Sequence, residues 1–304
     1  MPAFDVVVVG AGAAGTAAAW AAARAGARVS VLHDRAGATA LYSGALDLVP
    51  WDSKDEPEAR QAAEAAVLAD AELAAFASEL GILRLGHCML ASREGVARRA
   101  LGSDRALLDL EPLAGKRVGV LDAERDDWDA ALLAKSLSAS PFAERTRTSF
   151  VPIPVRMLSA GHERRVAAYD FAALHDDPAR LSALGEALRA ERAAADAWLS
   201  GPWLGLERDS ARELAALAGA PVGETTSKVG GPAGARFERA RDRLLQRRGV
   251  EVRQARVSRV SGASGALFVA LEGAEGTREV EAKAVVLASG GVAAGGIVLR
   301  WDPE

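Results

Sequence analysis

Cysteine is almost absent: the 304-residue chain has one, Cys88. That excludes a disulfide within the chain and a four-thiolate iron–sulfur site. Electrons that enter or leave must therefore use an organic cofactor or another subunit. Beside His87, Cys88 reads as a buried apolar residue rather than a nucleophile. Positive charge is also short, since 37 Lys and Arg face 41 Asp and Glu and leave a net charge of −4. No nucleic-acid partner is expected from that balance. A run of about 18 uncharged apolar residues is missing too, so no membrane span is expected. No basic leader precedes the first apolar run, so no signal peptide is expected and the chain reads as cytoplasmic. His33, His87, His162 and His175 have no metal-ligand spacing, and no metal site is expected. No acid–base constellation stands out, which leaves the catalytic residues unassigned.

Hydrophobic residues make up 50% of the chain, enough to build a real core. The most informative stretch is Gly10-Ala11-Gly12-Ala13-Ala14-Gly15. It follows the apolar run Val6–Val9 and precedes an alanine-rich segment that ends at Gly26. Strand, glycine turn and helix are written in that order, the context that gives G-x-G-x-x-G its meaning as a dinucleotide cradle. Gly10 permits the turn, Gly12 lets a pyrophosphate approach the backbone, and Gly15 lets the helix pack on the sheet. The phosphates would face the free N–H groups and positive end of the helix. A second strand is expected at 28–32. Such units usually end this strand on Asp or Glu, which holds the ribose hydroxyls. His33 takes that position here, and Asp34 could replace it only if the strand ended early.

Residues 36–50 read as a loop covering a cofactor. An acidic spacer at 52–56 leads to Pro57 and a helix running to about Leu80, stopped by Gly81. Further on, 117–121 reads as a strand, and the acidic run 122–129 as a loop opening a helix to about Ser138. Residues 146–155 alternate weakly, and Pro152 and Pro154 place them at a sheet edge. Arg145 and Arg147 are expected on one face of that strand. Asp177-Pro178 opens another helix, with a buried stripe of Leu181, Leu184, Leu188, Ala195, Trp198 and Leu199. Residues 209–218 are helical, and 201–206 are a short strand or loop. A helix at 235–248, stopped by Gly249, leads to strand-like runs at 250–257, 266–271 and 278–287. The last ends in Ala288-Ser289-Gly290-Gly291.

These pieces resemble flavoproteins of the fumarate-reductase and succinate-dehydrogenase type. Within that group they are most similar to the B subunit of anaerobic glycerol-3-phosphate dehydrogenase. The resemblance rests on Phe4–Gly12, on the Ser43–Leu48 loop, and on Ala168-Tyr169-Asp170-Phe171-Ala172. It also rests on Gly205-Leu206, Gly234–Phe237, Ala284–Gly291 and Gly295-Gly296-Ile297-Val298. It implies an α/β fold: a Rossmann-like FAD/NAD(P)-binding domain with a parallel sheet and a β-meander, plus an inserted α/β domain. The first would be discontinuous, 1–87 with 226–304. The insert, 88–225, would serve as a substrate cap or a subunit-interaction domain.

The implied activity is oxidation of sn-glycerol 3-phosphate to dihydroxyacetone phosphate, with electrons passed toward quinone. The implied partners are a catalytic flavoprotein subunit, an iron–sulfur membrane-anchor subunit and a small phosphorylated substrate. Through them the chain would sit at the inner membrane as a peripheral component. The implied cofactor is FAD or FMN, bound weakly because the family's C-terminal closing segment does not follow Glu304. Its expected contacts are Gly10, Ala11, Gly12, Ala13, Ala14 and Gly15 for the phosphates, and His33 or Asp34 for the ribose. Val257 would hold adenine through its backbone. Ser43 and Gly44 would lie beside the ring, and Ser289, Gly290 and Gly291 would pass near the cofactor. Two alternatives stay open: a non-catalytic assembly or electron-transfer subunit with a degenerate flavin site, and NAD(P) binding at the same cradle.

Overall fold

A computed structural model describes residues 4–47, 57–263, 266–273 and 276–291. Leu48, the spacer at 52–56, the Gly295–Val298 motif and the terminal residues 301–304 lie outside the described residues. The chain begins with β1 (Phe4–Val9), α1 (Ala13–Arg24), β2 (Val29–His33), β3 (Ala45–Leu46), α2 (Pro57–Ala69) and α3 (Ala71–Leu80). Next come β4 (Leu83–Ala91), β5 (Ala97–Asp104), β6 (Arg117–Asp122), α4 (Ala130–Ser138), α5 (Pro141–Thr146) and β7 (Ser149–Pro154). They are followed by α6 (Ala168–Leu174), α7 (Pro178–Ala190), β8 (Ala197–Ser200), α8 (Ser210–Ala218) and β9 (Val222–Glu224). The rest is α9 (Pro232–Arg247), β10 (Glu251–Gln254), β11 (Arg256–Ala263), β12 (Ala266–Gly273) and β13 (Gly276–Leu287).

Two compact units result, Met1–Leu41 with Phe237–Glu304, and Tyr42–Arg236. The resemblance implies boundaries at 87/88 and 225/226. The units divide at 41/42 because β3 pairs with β5, through Ala45 opposite Ser103. The later division falls inside α9, between Arg236 and Phe237.

The first unit holds a six-stranded sheet in the order β10-β2-β1-β13-β12-β11. Its left part is parallel: β10 on β2, β2 on β1, and β1 on β13. The meander β11–β12–β13 is antiparallel. Val7, Val8, Val31 and Leu32 are fully buried, as strands covered on both faces must be. On one face Val8, Val29 and Val31 pack with Ala19 of α1 and Leu245 of α9. On the other, Phe4, Val7 and Leu32 pack with Val269 and Leu271 of the meander. The run expected as one strand at 250–257 is two strands. β10 pairs parallel with β2, whereas β11 turns to pair antiparallel with β12.

The second unit carries a parallel sheet in the order β7-β6-β8-β9 and an antiparallel one in the order β3-β5-β4. β7, with Pro152 and Pro154, lies at the edge of its sheet. The helix expected from 57 to 80 is broken at Asp70, whose carboxylate accepts from the Leu73 N–H at 2.8 Å and starts α3 afresh. Gly81 ends α3 in the left-handed region, φ 84°. Asp129 caps α4 as expected, accepting from the Leu132 N–H at 2.8 Å.

Two expectations are corrected here. Arg145 and Arg147 do not share a strand face. Ser140 caps the short helix α5, with Pro141 in its first turn, so Arg145 is helical and Arg147 closes the helix at φ 57°. Ala195, Trp198 and Leu199 do not continue the stripe of α7, which ends at Ala190. Trp198 and Leu199 belong to β8, an interior strand of the parallel sheet, and are fully buried.

The loops that follow β6 and β8 fill with side chains. The Arg125 guanidinium lies 4.4 Å from the Phe171 ring centroid and 5.2 Å from that of Trp203. It donates to the carbonyls of Glu163 at 3.1 Å and Val166 at 2.6 Å. Trp128 meets Trp203 edge to face at 5.0 Å and donates its indole N–H to the Leu121 carbonyl. Elsewhere in this unit Arg236 is buried between two carboxylates, Asp104 at 2.8 Å and Glu224 at 2.6 Å. It also donates to the Gly205 carbonyl at 3.0 Å. Burial alone would disfavour the Arg236 charge, but the two carboxylates raise its pKa and hold it ionised.

Candidate functional site

The turn after β1 is built so that no side chain can enter it. A Cβ on Gly15 would sit 1.9 Å from the Gly10 carbonyl oxygen, and one on Gly10 would sit 2.2 Å from the Ala288 oxygen. Gly10 also has φ +108°, a conformation that L residues rarely adopt. The turn is stitched to both neighbouring strands. The Gly10 N–H donates to the Leu32 carbonyl at 2.8 Å, and the Ala288 N–H donates to the Val9 carbonyl at 2.8 Å. Helix α1 starts directly afterwards. Its cap, Gly12, makes no side-chain cap hydrogen bond, and the first turn holds no acidic residue. The Ala13 N–H is taken by the Thr39 hydroxyl at 3.0 Å, and no carboxylate offsets the positive end of α1, which favours an anion beside it.

A cleft of about 340 Å³ lies at this end of the sheet. That volume falls within the usual range for small-molecule sites, roughly 300–1,000 Å³. Gly10, Ala11, Gly12, Ala13 and Ala14 line it, together with His33, Asp34, Val257, Ser289 and Gly290. The fold brings these predicted residues together where the sheet order runs β2-β1-β13, so connections depart to both sides of β1. This is the switch-point position at which open α/β sheets bind ligands. Gly15 lies beneath the turn and acts through packing rather than by lining the cleft. Gly291 follows Gly290 and is exposed, outside the lining.

Ser43 and Gly44 belong to the other unit and do not line the cleft. The Ser43 carbonyl accepts from the Ser227 N–H at 2.8 Å, and its hydroxyl accepts weakly from the Ala45 N–H. The Gly44 carbonyl accepts from the Tyr42 hydroxyl at 2.7 Å and from the Asp104 N–H at 2.7 Å. A Cβ at Gly44 would meet Leu107 at 2.8 Å. These residues shape the start of β3.

β2 does not end early, so His33 is its last residue and Asp34 the first beyond it. Both line the cleft. The His33 Nδ1 lies 3.4 Å from the Arg35 carbonyl, and Asp34 pairs with Arg35 at 3.5 Å. The position that usually offers a carboxylate to a ribose thus carries an imidazole, with a carboxylate one step along.

Three further residues have site roles, and of these only Arg241 escaped sequence reasoning. Thr39 accepts from the Ala13 N–H at 3.0 Å through its hydroxyl, anchoring the loop over the start of α1. Gly37 lies against Gly12, since a Cβ there would approach the Gly12 Cα to 3.2 Å. Arg241 of α9 is buried and donates to the Ala11 carbonyl at 3.1 Å, bracing the cradle from behind. The first two fall in the loop that the sequence singled out. Arg241 is 230 positions from Ala11 and leaves no local signal.

The cleft suits a dinucleotide. Gly12 carries no Cβ where a pyrophosphate would lie, and Val257, in the first strand of the meander, lines the same cleft. The remaining titratable lining residues, Arg35 and Arg256, are exposed. Among the described residues no cluster of His, Cys, Asp and Glu could hold a metal ion. Nor is any described helix long and apolar enough to cross a membrane. His87 is exposed, whereas Cys88 is buried, and burial pushes its thiol pKa up.

Residues 5–144 match the family model "FAD dependent oxidoreductase" (DAO), just under half of the chain. No curated protein sequence matches the chain significantly. Among solved structures, glycine oxidase from Geobacillus kaustophilus is similar at 15% identity over 98% of this chain and 60% of that one, TM-score 0.37. A 3-ketosteroid delta1-dehydrogenase from Sterolibacterium denitrificans is similar at 18% identity over 95% of this chain and 48% of that one, TM-score 0.36. The p-nitrophenol 4-monooxygenase PnpA from Pseudomonas putida DLL-E4 is similar at 14% identity over 93% of this chain and 39% of that one, TM-score 0.33. The chain thus spans less than two thirds of the length of each. The glycine cradle and the switch-point cleft fall at the start of the matched region, so residues 5–144 are similar to an FAD-dependent oxidoreductase domain of the DAO type.

Proposed function

We propose that the cleft after β1 holds FAD and that the chain works as a flavin-dependent oxidoreductase component. The observation that carries this reading is the cradle itself: Gly10 and Gly15 admit no Cβ, and Gly12 to Ala14 at the start of α1 line the cleft. Backbone N–H groups of Gly12 and Ala14 would meet the pyrophosphate, His33 or Asp34 the ribose, and the Val257 backbone the adenine. Reach from the cradle to Val257 favours a dinucleotide over FMN, which has no adenosine to place there. When bound, the flavin supplies two-electron redox chemistry. The chain's part is to hold the phosphates and orient the ribose. NAD(P) binding at the cradle is less favoured, because the DAO match is to a flavin-binding domain.

The finer reading is that the chain serves glycerol-3-phosphate oxidation, as a component like the B subunit of the anaerobic dehydrogenase. The Ser43–Leu48 loop and the Ala288–Gly291 strand end support it, as does a buried lone cysteine that leaves iron–sulfur clusters to another subunit. His33 in place of a carboxylate favours a second reading, an assembly subunit that keeps the fold and binds flavin poorly.

Two measurements separate these readings. The purified chain, reconstituted with FAD, should show a bound flavin spectrum; no uptake would sink the first proposal and favour the assembly subunit. Co-expression with neighbouring dehydrogenase subunits should give a complex that reduces a dye with sn-glycerol 3-phosphate. If omitting this chain leaves that rate unchanged, the glycerol-3-phosphate assignment fails. Turnover by the isolated chain would rule out the assembly reading.

A further inference from the structure

We propose that a groove in the second unit, walled by α3, β4 and the start of α8, binds a small phosphate monoester. The groove has a volume of about 550 Å³ and uses no residue of the flavin cleft. Arg84, Arg105 and Arg212 line it, with Asp209 as its only acidic residue. Three guanidinium groups against one carboxylate leave an excess of positive charge, in a chain whose net charge is −4.

Each guanidinium is tethered. Arg84 donates through Nη2 to the Ser103 hydroxyl at 3.0 Å and the Leu107 carbonyl at 3.3 Å. Arg105 donates through Nε to the Leu83 carbonyl at 3.2 Å. Arg212 donates through Nε to the Asp209 carboxylate at 3.0 Å. Only the last tether is ionic, so Arg84 and Arg105 are oriented by neutral oxygens and keep their full charge for a ligand.

The chemistry points to a phosphate monoester. Such a group carries close to two negative charges and three terminal oxygens, which suit planar guanidinium forks. A carboxylate brings one charge and two oxygens and leaves one arginine unmatched. The buried apolar residues Leu83, Ala77 and Val222 also line the groove and suit a short carbon skeleton. Because the arginines are exposed, attraction should be screened by salt.

The test is calorimetric titration of the 304-residue chain with inorganic phosphate at low ionic strength, with acetate as a second probe. Saturable phosphate binding is expected, tighter than acetate and weakened by added KCl. Arg105→Gln and Arg84→Gln should each weaken it about tenfold, in line with the loss of a charge-assisted contact. Arg99→Gln, an exposed change on β5 outside the groove, should leave it unaltered. Arg84 also tethers Ser103 and Leu107; Arg105→Gln decides the matter if that variant folds poorly. No saturable heat, acetate binding as tight as phosphate, or wild-type affinity in Arg105→Gln would overturn the proposal. Flavin uptake is measured separately, so a chain that takes no FAD but binds phosphate leaves this site standing.

Discussion

Both units are built on parallel strands with helical connections, yet they treat the turn after a strand in opposite ways. After β1 the chain uses glycine and alanine, and the space beyond the strand ends stays open as a cleft. After β6 it places Arg125 and Trp128, and this space is filled by Phe171 and Trp203. The same architecture thus gives a ligand cradle in one unit and a core in the other. What differs is a handful of side chains at the strand ends. The polar backbone shows the same split. In the first unit the start of α1 lines the cleft with only the Ala13 N–H taken by a side chain, whereas in the second Arg125 and Arg236 satisfy carbonyls and carboxylates internally.

The largest expected effect breaks the closed side of this comparison. Arg236→Met leaves Asp104 and Glu224 buried without a counter-ion and should lower stability by about 3–5 kcal/mol, read by urea unfolding. A loss under about 1 kcal/mol would show that the clasp is not a charged pair. Arg125→Met comes next. It removes the donor to the Val166 carbonyl and one of two donors to the Glu163 carbonyl, and should cost roughly 1–3 kcal/mol in the same assay.

On the open side, Gly15→Ala forces a Cβ onto the Gly10 carbonyl. It should cost roughly 1–3 kcal/mol and abolish FAD retention, measured by melting and by the flavin spectrum of the purified protein. Unchanged retention would mean that the cradle tolerates what its geometry forbids.

The smallest effect is a pH dependence. Burial, with Arg180 nearby, lowers the His175 pKa from 6.5 to about 4. The unfolded chain gains this proton below 6.5, whereas the fold resists it until about 4, so stability falls as pH drops through that window. A drop of about 1 kcal/mol is expected over the first unit below 6.5. His175→Gln should flatten that part of the profile, and an unchanged slope would assign it to other groups.

The open side was far more legible in the sequence than the closed side. Val6–Val9 and the three glycines announce themselves locally, because a buried parallel strand and a Cβ-free turn each demand particular residues in a row. Helix ends at Asp129, Asp177 and Gly81 were legible for the same reason: a cap is a local bargain between one side chain and nearby backbone. The hairpin β4–β5 was not. Its alternation is interrupted by Arg84, Gly86 and His87, and its register shifts between Leu85 and Cys88. Trp198 and Leu199 were read into a helix because a four-residue interior strand is apolar on both faces and has no period to show. Arg236 and its partner Asp104 lie 132 positions apart, and no local pattern joins them. Ser43 and Gly44 stood near the cradle in sequence, yet pairing of β3 with β5 carries them into the other unit.

The pairing of β1 with β13 has a consequence in time. β1 can meet β2 early, but Val6 lies opposite Ala284 on its other side, so β1 gains its second neighbour only after β13 has been made. The intervening Tyr42–Arg236 unit is continuous and meets its own partners far sooner. Long-range parallel pairing is slow to form, because loop-closure entropy must be overcome before contacts reward it. During synthesis the β13-facing edge of Val6–Val9 therefore waits open, a segment in need of shielding until β13 arrives.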